Sequence, residues 1–214
     1  RLYHLPADAV CVTNGATEAI YLIAQTFRGT NTAILQPTFS EYADACRMHG
    51  HRVTSLYQLP QAQDGYLLPD DVRMFWLCNP NNPTGSWLPR AEIARLHAGL
   101  RPDILLVLDG AYAEYLDPEH DDGALELAAS ASNVLVTRTF SKIYGLAGER
   151  IGWGTGHADV VDMLNRIRGP FNIANTGQAM ALAAVGDQAF VAASRTHNAA
   201  ERARFVTALS AMGN

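Results

Sequence analysis

Val134-Leu135-Val136-Thr137-Arg138-Thr139-Phe140-Ser141-Lys142-Ile143-Tyr144-Gly145-Leu146-Ala147-Gly148-Glu149-Arg150 runs from a short apolar segment into a polar, glycine-bearing one. Residues 134–137 read as a buried strand. The strand empties into Ser141-Lys142, and an arginine follows eight residues after the lysine. A lysine forms a Schiff base with an aldehyde if something else holds the aldehyde in place. The hydroxyls of Thr139 and Ser141 and the planar guanidinium of Arg150 are groups that hold a phosphate. A phosphorylated aldehyde bound through an imine describes pyridoxal 5'-phosphate (PLP). A surface lysine and arginine on a glycine-bearing loop would explain the same residues, and the stretch alone does not decide.

Outward from this stretch, short apolar runs alternate with helical patterns, the signature of a sheet covered by helices. Val10 to Thr13, Thr32 to Leu35, Arg52 to Tyr57, Met74 to Cys78, Ile104 to Leu108 and Ile151 to Gly154 read as further strands. Helical patterns run from Gly15 to Phe27, from just after Pro37-Thr38-Phe39-Ser40 to near Gly50, from near Pro89 to Gly99 and from Ala158 to Arg168. An alanine-rich helical pattern covers Thr176 to about Leu209. Gln61 to Gly65 and Asp117 to Gly123 are polar and read as surface loops. His49 and His51 flank Gly50 between a helix and a strand and read as a half-exposed turn.

The 214 residues suit one sizeable core. A net charge of −5 argues against a nucleic-acid or anionic-membrane surface. No apolar run approaches the length of a membrane span, and nothing at the start resembles a signal peptide, so a cytoplasmic setting is expected. Cys11, Cys46 and Cys78 form neither a disulfide framework nor a zinc pattern, the seven histidines lack metal-ligand spacing, and no metal is expected.

Most polar residues of interest lie just past the carboxyl ends of the expected strands, the rim where ligands bind in open α/β sheets. Asn14-Gly15-Ala16-Thr17 joins a strand to a helix, and its free amides with the Thr17 hydroxyl make an anion site; a plain helix cap explains it as well. Asp109 ends the most apolar strand, where a carboxylate needs a cationic or hydrogen-bonding partner. A protonated pyridine nitrogen would be one, and would keep the ring able to accept electrons; a helix cap or a metal ligand is the alternative. In Asn79-Pro80-Asn81-Asn82-Pro83-Thr84-Gly85 the prolines and glycine fix a turn, and the asparagines are donors suited to an aromatic hydroxyl. A structural turn alone would not need two asparagines between the prolines. Phe39 could stack on a ring and Tyr112 could hydrogen-bond its 3'-oxygen, although each, like Tyr144, also suits core or rim packing.

In combination and in order, Asn79 to Gly85, Asp109 with Tyr112, and Ser141-Lys142 with Arg150 resemble the fold-type I, class I/II PLP-dependent aminotransferases. Thr13 to Ala19, Pro37 to Tyr42, Arg138 to Lys142, Tyr144 to Gly148 and Gly169 to Asn172 are similar to the histidinol-phosphate branch of that family. The resemblance covers essentially the whole chain. It implies a three-layer α/β/α, mostly parallel sheet, with residues 1–214 as a PLP-binding large domain and residues 187–214 as a helix leading to a small domain. It implies that Lys142 carries the cofactor aldehyde, Asp109 pairs with the pyridine nitrogen, and Asn82 and Tyr112 contact the 3'-oxygen. Phe39 would stack on the ring, and Ala16, Thr17, Thr139, Ser141 and Arg150 would surround the phosphate. The implied reaction exchanges the amino group of histidinol phosphate with 2-oxoglutarate in histidine biosynthesis, in a homodimer with small-molecule amino donor and 2-oxo acid as partners. An aromatic amino-acid aminotransferase, a decarboxylase of the threonine-phosphate type, or a PLP-binding domain without turnover are the competing expectations.

Two positions depart from the family's commonest pattern. Gly110 stands where glutamate often follows the aspartate, and Glu149 stands where an aliphatic residue usually precedes the arginine. Glu149 could compete with a phosphate for Arg150 unless it points away, as neighbours in an extended segment do. Family members also carry an N-terminal segment with a tyrosine that reaches the neighbouring subunit's cofactor. Their C-terminal small domain carries an arginine that grips the substrate. Neither is in this sequence, which reads as a piece of something larger whose isolated activity would be feeble.

Overall fold

A computed structural model describes residues 3–61 and 68–213. Seven strands form one sheet: β1 (Val10–Asn14), β2 (Asn31–Leu35), β3 (Arg52–Leu56), β4 (Val72–Cys78), β5 (Leu105–Asp109), β6 (Val134–Thr139) and β7 (Ile151–Gly156). Their order is β1-β7-β6-β5-β4-β2-β3, and only β7 runs against its neighbours. The helices are α1 (Gly15–Thr26), α2 (Glu41–Met48), α3 (Arg90–Ala98), α4 (Ala124–Ser130), α5 (Ala158–Ile167), α6 (Asn175–Gly186) and α7 (Gln188–Ala211). The expected three-layer, mostly parallel architecture is present.

The central strands are apolar on both faces because both faces are covered. Side chains alternate across a strand, so Met74, Trp76, Leu105, Val107 and Leu135 join the core beneath α1, α2 and α5. Phe75, Leu77, Leu106, Leu108, Val134 and Val136 join the core beneath α3 and α4. Each fully buried large side chain contributes roughly 1.5–3 kcal/mol. The same alternation sends Asp109 and Thr137 to the α1/α2 face and Arg138 to the opposite one.

Three expectations need correction. His51 is buried rather than half-exposed: one ring nitrogen lies 2.7 Å from the Thr32 hydroxyl and the other 2.7 Å from the Ala24 carbonyl. The long alanine-rich helix is two helices, because the chain turns at Gly186-Asp187 and the Asp187 carboxylate restarts it by accepting from Phe190 N at 3.0 Å. The second of these, α7, spans Gln188–Ala211. Of the Asp117 to Gly123 loop, residues 117–121 are exposed but Asp122 is buried, accepting from Asn79 Nδ2 at 2.9 Å and Ala124 N at 3.0 Å. Helix α4, which follows it, has only seven residues and no side-chain cap, too little for a sequence pattern to show. Gln61 is exposed as expected, and the rest of the Gln61 to Gly65 loop lies outside the described residues.

Candidate active site

The parallel strands deliver a row of side chains to one place. Cys78 on β4 pairs with Asp109 on β5, which pairs with Thr137 on β6. Ala16 and Thr17 come from the start of α1, Phe39 and Tyr42 from the entry to α2, Asn82 from the proline loop and Tyr112 from the turn after β5. Together with Ser141, Lys142 and Arg150 they line a cavity of about 140 Å³. The sequence reading therefore converges: every expected cofactor residue except Thr139 borders this space.

Asp109 is 3% exposed. Its Oδ1 accepts from the Thr137 hydroxyl at 3.0 Å and Ala111 N at 3.1 Å, and its Oδ2 accepts from the Tyr42 hydroxyl at 2.5 Å. Burial pushes the Asp109 carboxyl above its ordinary range, opposed by these three hydrogen bonds and by the positive charge of Arg138. Burial likewise raises the Tyr42 phenol well above its usual value, with the Asp109 charge adding to the rise. The Cys78 thiol is pushed up to about 11, chiefly by burial, so it stays protonated and unreactive.

At the opposite end, Arg150 adopts left-handed backbone (φ 53°) and donates Nη1 to Ser141 Oγ at 3.1 Å and to the Ala147 carbonyl at 2.9 Å. Its guanidinium lies against Gly15, where an added Cβ would sit 2.4 Å from Nη2. Gly15 itself has φ +72°, so a glycine is required twice over. Guanidinium, serine hydroxyl and the amino end of α1 thus face one point, the arrangement that binds a phosphate. Lys142 lies between the two ends, its Nζ 5.1 Å from the centre of the Tyr112 ring. It is the only lysine in the chain.

Several details differ from expectation. The Thr139 hydroxyl is buried, within 3.4 Å of the Ile151 carbonyl, and accepts from Ser141 N at 3.1 Å; it shapes the Ser141 turn and does not reach the cavity. Asn14 does not cap α1; its Nδ2 donates to the Asn172 carbonyl at 3.0 Å. Of the loop asparagines, only Asn82 borders the cavity. Asn81 accepts from the Thr38 hydroxyl at 2.7 Å and donates to the Pro37 carbonyl at 2.9 Å, so a structural clamp does need it. Gly110 leaves room for Arg138, whose Nη1 would be 2.4 Å from an added Cβ and donates to the Gly110 carbonyl at 3.0 Å. Glu149 and Arg150 form no ion pair among the described residues. The cause is a 3₁₀ turn over Ala147–Glu149 followed by the left-handed Arg150, not an extended backbone.

Sequence reasoning missed Tyr42, Cys78, Thr137 and Ala111 as site residues. The alternation of β6 could have placed Thr137 on the face of Asp109. Nothing in the sequence says what the Tyr42 hydroxyl meets.

Known proteins resemble this chain in sequence and fold. The chain is 52% identical over its full length to a curated histidinol-phosphate aminotransferase of Erythrobacter litoralis, and it spans about 60% of that relative's length. The crystal structure of a histidinol-phosphate aminotransferase from Sinorhizobium meliloti in complex with pyridoxal-5'-phosphate superposes with a TM-score of 0.84. It is 26% identical, over 96% of this chain and 57% of that one. The L-threonine-O-3-phosphate decarboxylase from Porphyromonas gingivalis has a TM-score of 0.78 and 33% identity, over 87% of this chain and 59% of that one. The model of the family "Aminotransferase class I and II" matches residues 1–214, and the chain belongs to that family.

Proposed function

We propose that this chain is the cofactor-binding large domain of a PLP-dependent aminotransferase that exchanges the amino group of histidinol phosphate with 2-oxoglutarate. The observation that carries the reading is the convergence of Asn82, Asp109 with Tyr112, Ser141 with Lys142, and Arg150 on one cavity from four separate stretches of the chain. The residues fit the cofactor. Asp109 is a buried carboxylate bordering the cavity with acceptor capacity left on Oδ2, which suits a cationic ring nitrogen. Arg150, Ser141 and the start of α1 suit its phosphate, and Lys142 suits its aldehyde.

When bound, PLP supplies an electron sink for the pair left on the substrate carbon. Lys142 would hold the cofactor covalently and, once displaced by an incoming amine, move the proton at the substrate carbon. Asp109 would keep the ring nitrogen protonated, Asn82 and Tyr112 would orient the ring through its 3'-oxygen, and Phe39 would pack on its face. The naming of the 52% identical relative supports histidinol phosphate as donor. Two copies are expected to pair, because the α6 region exposes Phe171, Met180 and Leu182. Three buried, unpaired cysteines suit a reducing, cytoplasmic setting.

The test is to load the protein with PLP and add histidinol phosphate, O-phosphothreonine or an aromatic amino acid in parallel, following conversion to pyridoxamine phosphate by absorbance. Histidinol phosphate should convert the cofactor fastest. Faster conversion by the aromatic amino acid, or loss of carbon dioxide from O-phosphothreonine, would contradict the assignment.

A further inference from the structure

Asp109 has to meet two demands that conflict: it must stay ionised, and it must not take the proton from its partner. Buried at 3% exposure, it would by itself favour the protonated form. The carboxylate offers about four lone-pair positions. Thr137 and Ala111 N use Oδ1, and the Tyr42 hydroxyl uses one position on Oδ2. The Tyr42 bond, at 2.5 Å, is the shortest of the three, in the range of charge-assisted O–H···O⁻ bonds.

Tyr42 is held rigidly for this. It is completely buried, its ring stacks on Trp76 at 4.9 Å and 14°, and Phe39 meets it edge-on at 5.7 Å. Its phenolic oxygen is therefore fixed beside the carboxylate, because moving it would take the ring out of that stack. The titratable or charged groups packed on Asp109 are Tyr42 from α2, Cys78 from β4 and Arg138 from β6, and Tyr112, Lys142 and Arg150 share its cavity. The Cys78 thiol donates to the Pro80 carbonyl at 3.2 Å and also lies within reach of the Tyr42 hydroxyl, and Arg138 bonds Gly110 from the far face. Tyr42 is the one side chain among them that donates directly to the carboxylate.

We propose that Tyr42 is a positioning residue for Asp109: its hydroxyl fixes the carboxylate and weakens it as a base, so that the shared proton stays on the cofactor's ring nitrogen. This rests on the PLP reading of the site. A cationic ring draws electrons more strongly and makes the lysine-bound cofactor lose its own proton at lower pH. Without the Tyr42 hydroxyl the proton shifts from ring nitrogen to Asp109, and both properties weaken.

The experiment loads wild type, Tyr42→Phe and Asp109→Asn with PLP labelled with ¹⁵N in the ring. It reads the nitrogen chemical shift and the pH midpoint of the cofactor's colour change. Tyr42→Phe should move the nitrogen signal toward the unprotonated value and raise the midpoint by about one unit, the scale of one hydrogen bond to a charged group. Asp109→Asn should move both readouts further in the same direction. A tyrosine that only fills the core would lower the melting temperature of Tyr42→Phe and leave both readouts at wild-type values, which overturns the proposal. If Tyr42→Phe does not fold, Tyr42→3-fluorotyrosine keeps the ring and strengthens the donor. It should shift the midpoint downward, and no shift overturns the proposal. Failure of the wild type to bind PLP would overturn the reading of the site itself, and is separable because it precedes any comparison of variants.

Discussion

Gly15 and Arg150 illustrate how closely single residues are fitted at this site. The Arg150 guanidinium occupies the space where a Gly15 side chain would be, and both residues have positive φ. Gly15→Ala is expected to displace the guanidinium from the phosphate position and to add backbone strain of roughly 1–2 kcal/mol. The PLP dissociation constant should then rise about tenfold, measurable by fluorescence titration; unchanged affinity would mean that Arg150 does not serve the phosphate. The placing of Asp109 and Lys142 beside one cavity was legible in the sequence because each follows an apolar strand onto the rim of the sheet, although a cap, a metal ligand or a surface loop explained each residue taken alone. Thr139 was misplaced because a threonine hydroxyl can bond its own chain two residues on, a local option that competes with any ligand. Tyr42 was quoted within its motif but given no role, since an aromatic at a helix start reads the same whether its hydroxyl is idle or bonded to Asp109.

Among the elements, the junction of α1, β2 and β3 depends on His51. Its imidazole bridges the Thr32 hydroxyl and the last turn of α1, and burial lowers its pKa, with the backbone bond to Ala24 working the other way. The folded state thus holds the ring neutral, while the unfolded chain takes up a proton near pH 6.5. The stabilising contribution is complete above that value and declines as pH falls below it, until the folded pKa is reached. His51→Gln should flatten the fall of melting temperature between about pH 7 and 5 relative to wild type; identical slopes would show that His51 does not couple folding to pH. The elements themselves were mostly readable, because strands buried on both faces and amphipathic helices leave strong patterns. The break between α6 and α7 left no mark in the helical pattern itself, since alanine suits a helix on either side of Gly186-Asp187; only the family resemblance set residues 187–214 apart, and the Asp187 cap marks the restart.

At the scale of the molecule, no helix among the described residues is long and apolar enough to cross a membrane. Val12, Phe171 and Leu182 are 45%, 99% and 79% exposed, on the rim of a cavity of about 940 Å³. An apolar surface of this kind marks a contact site. Light scattering should give a mass near twice the chain's 23.2 kDa, and Leu182→Asp should shift it toward one copy; a single-copy mass at high concentration would count against pairing. The mostly parallel sheet and its polar rim followed from the alternation of strand and helix, whereas what covers the exposed face is not written in an alanine-rich helix, which packs equally well inside one chain or between two. The central claim, that this fold exists to hold PLP on Lys142, has a direct test because Lys142 is the only lysine. The protein is incubated with PLP, reduced with borohydride, digested and mapped by mass spectrometry. The account predicts a pyridoxyl group on the peptide containing Lys142; an unmodified Lys142, with the label absent or confined to the amino terminus, would contradict it.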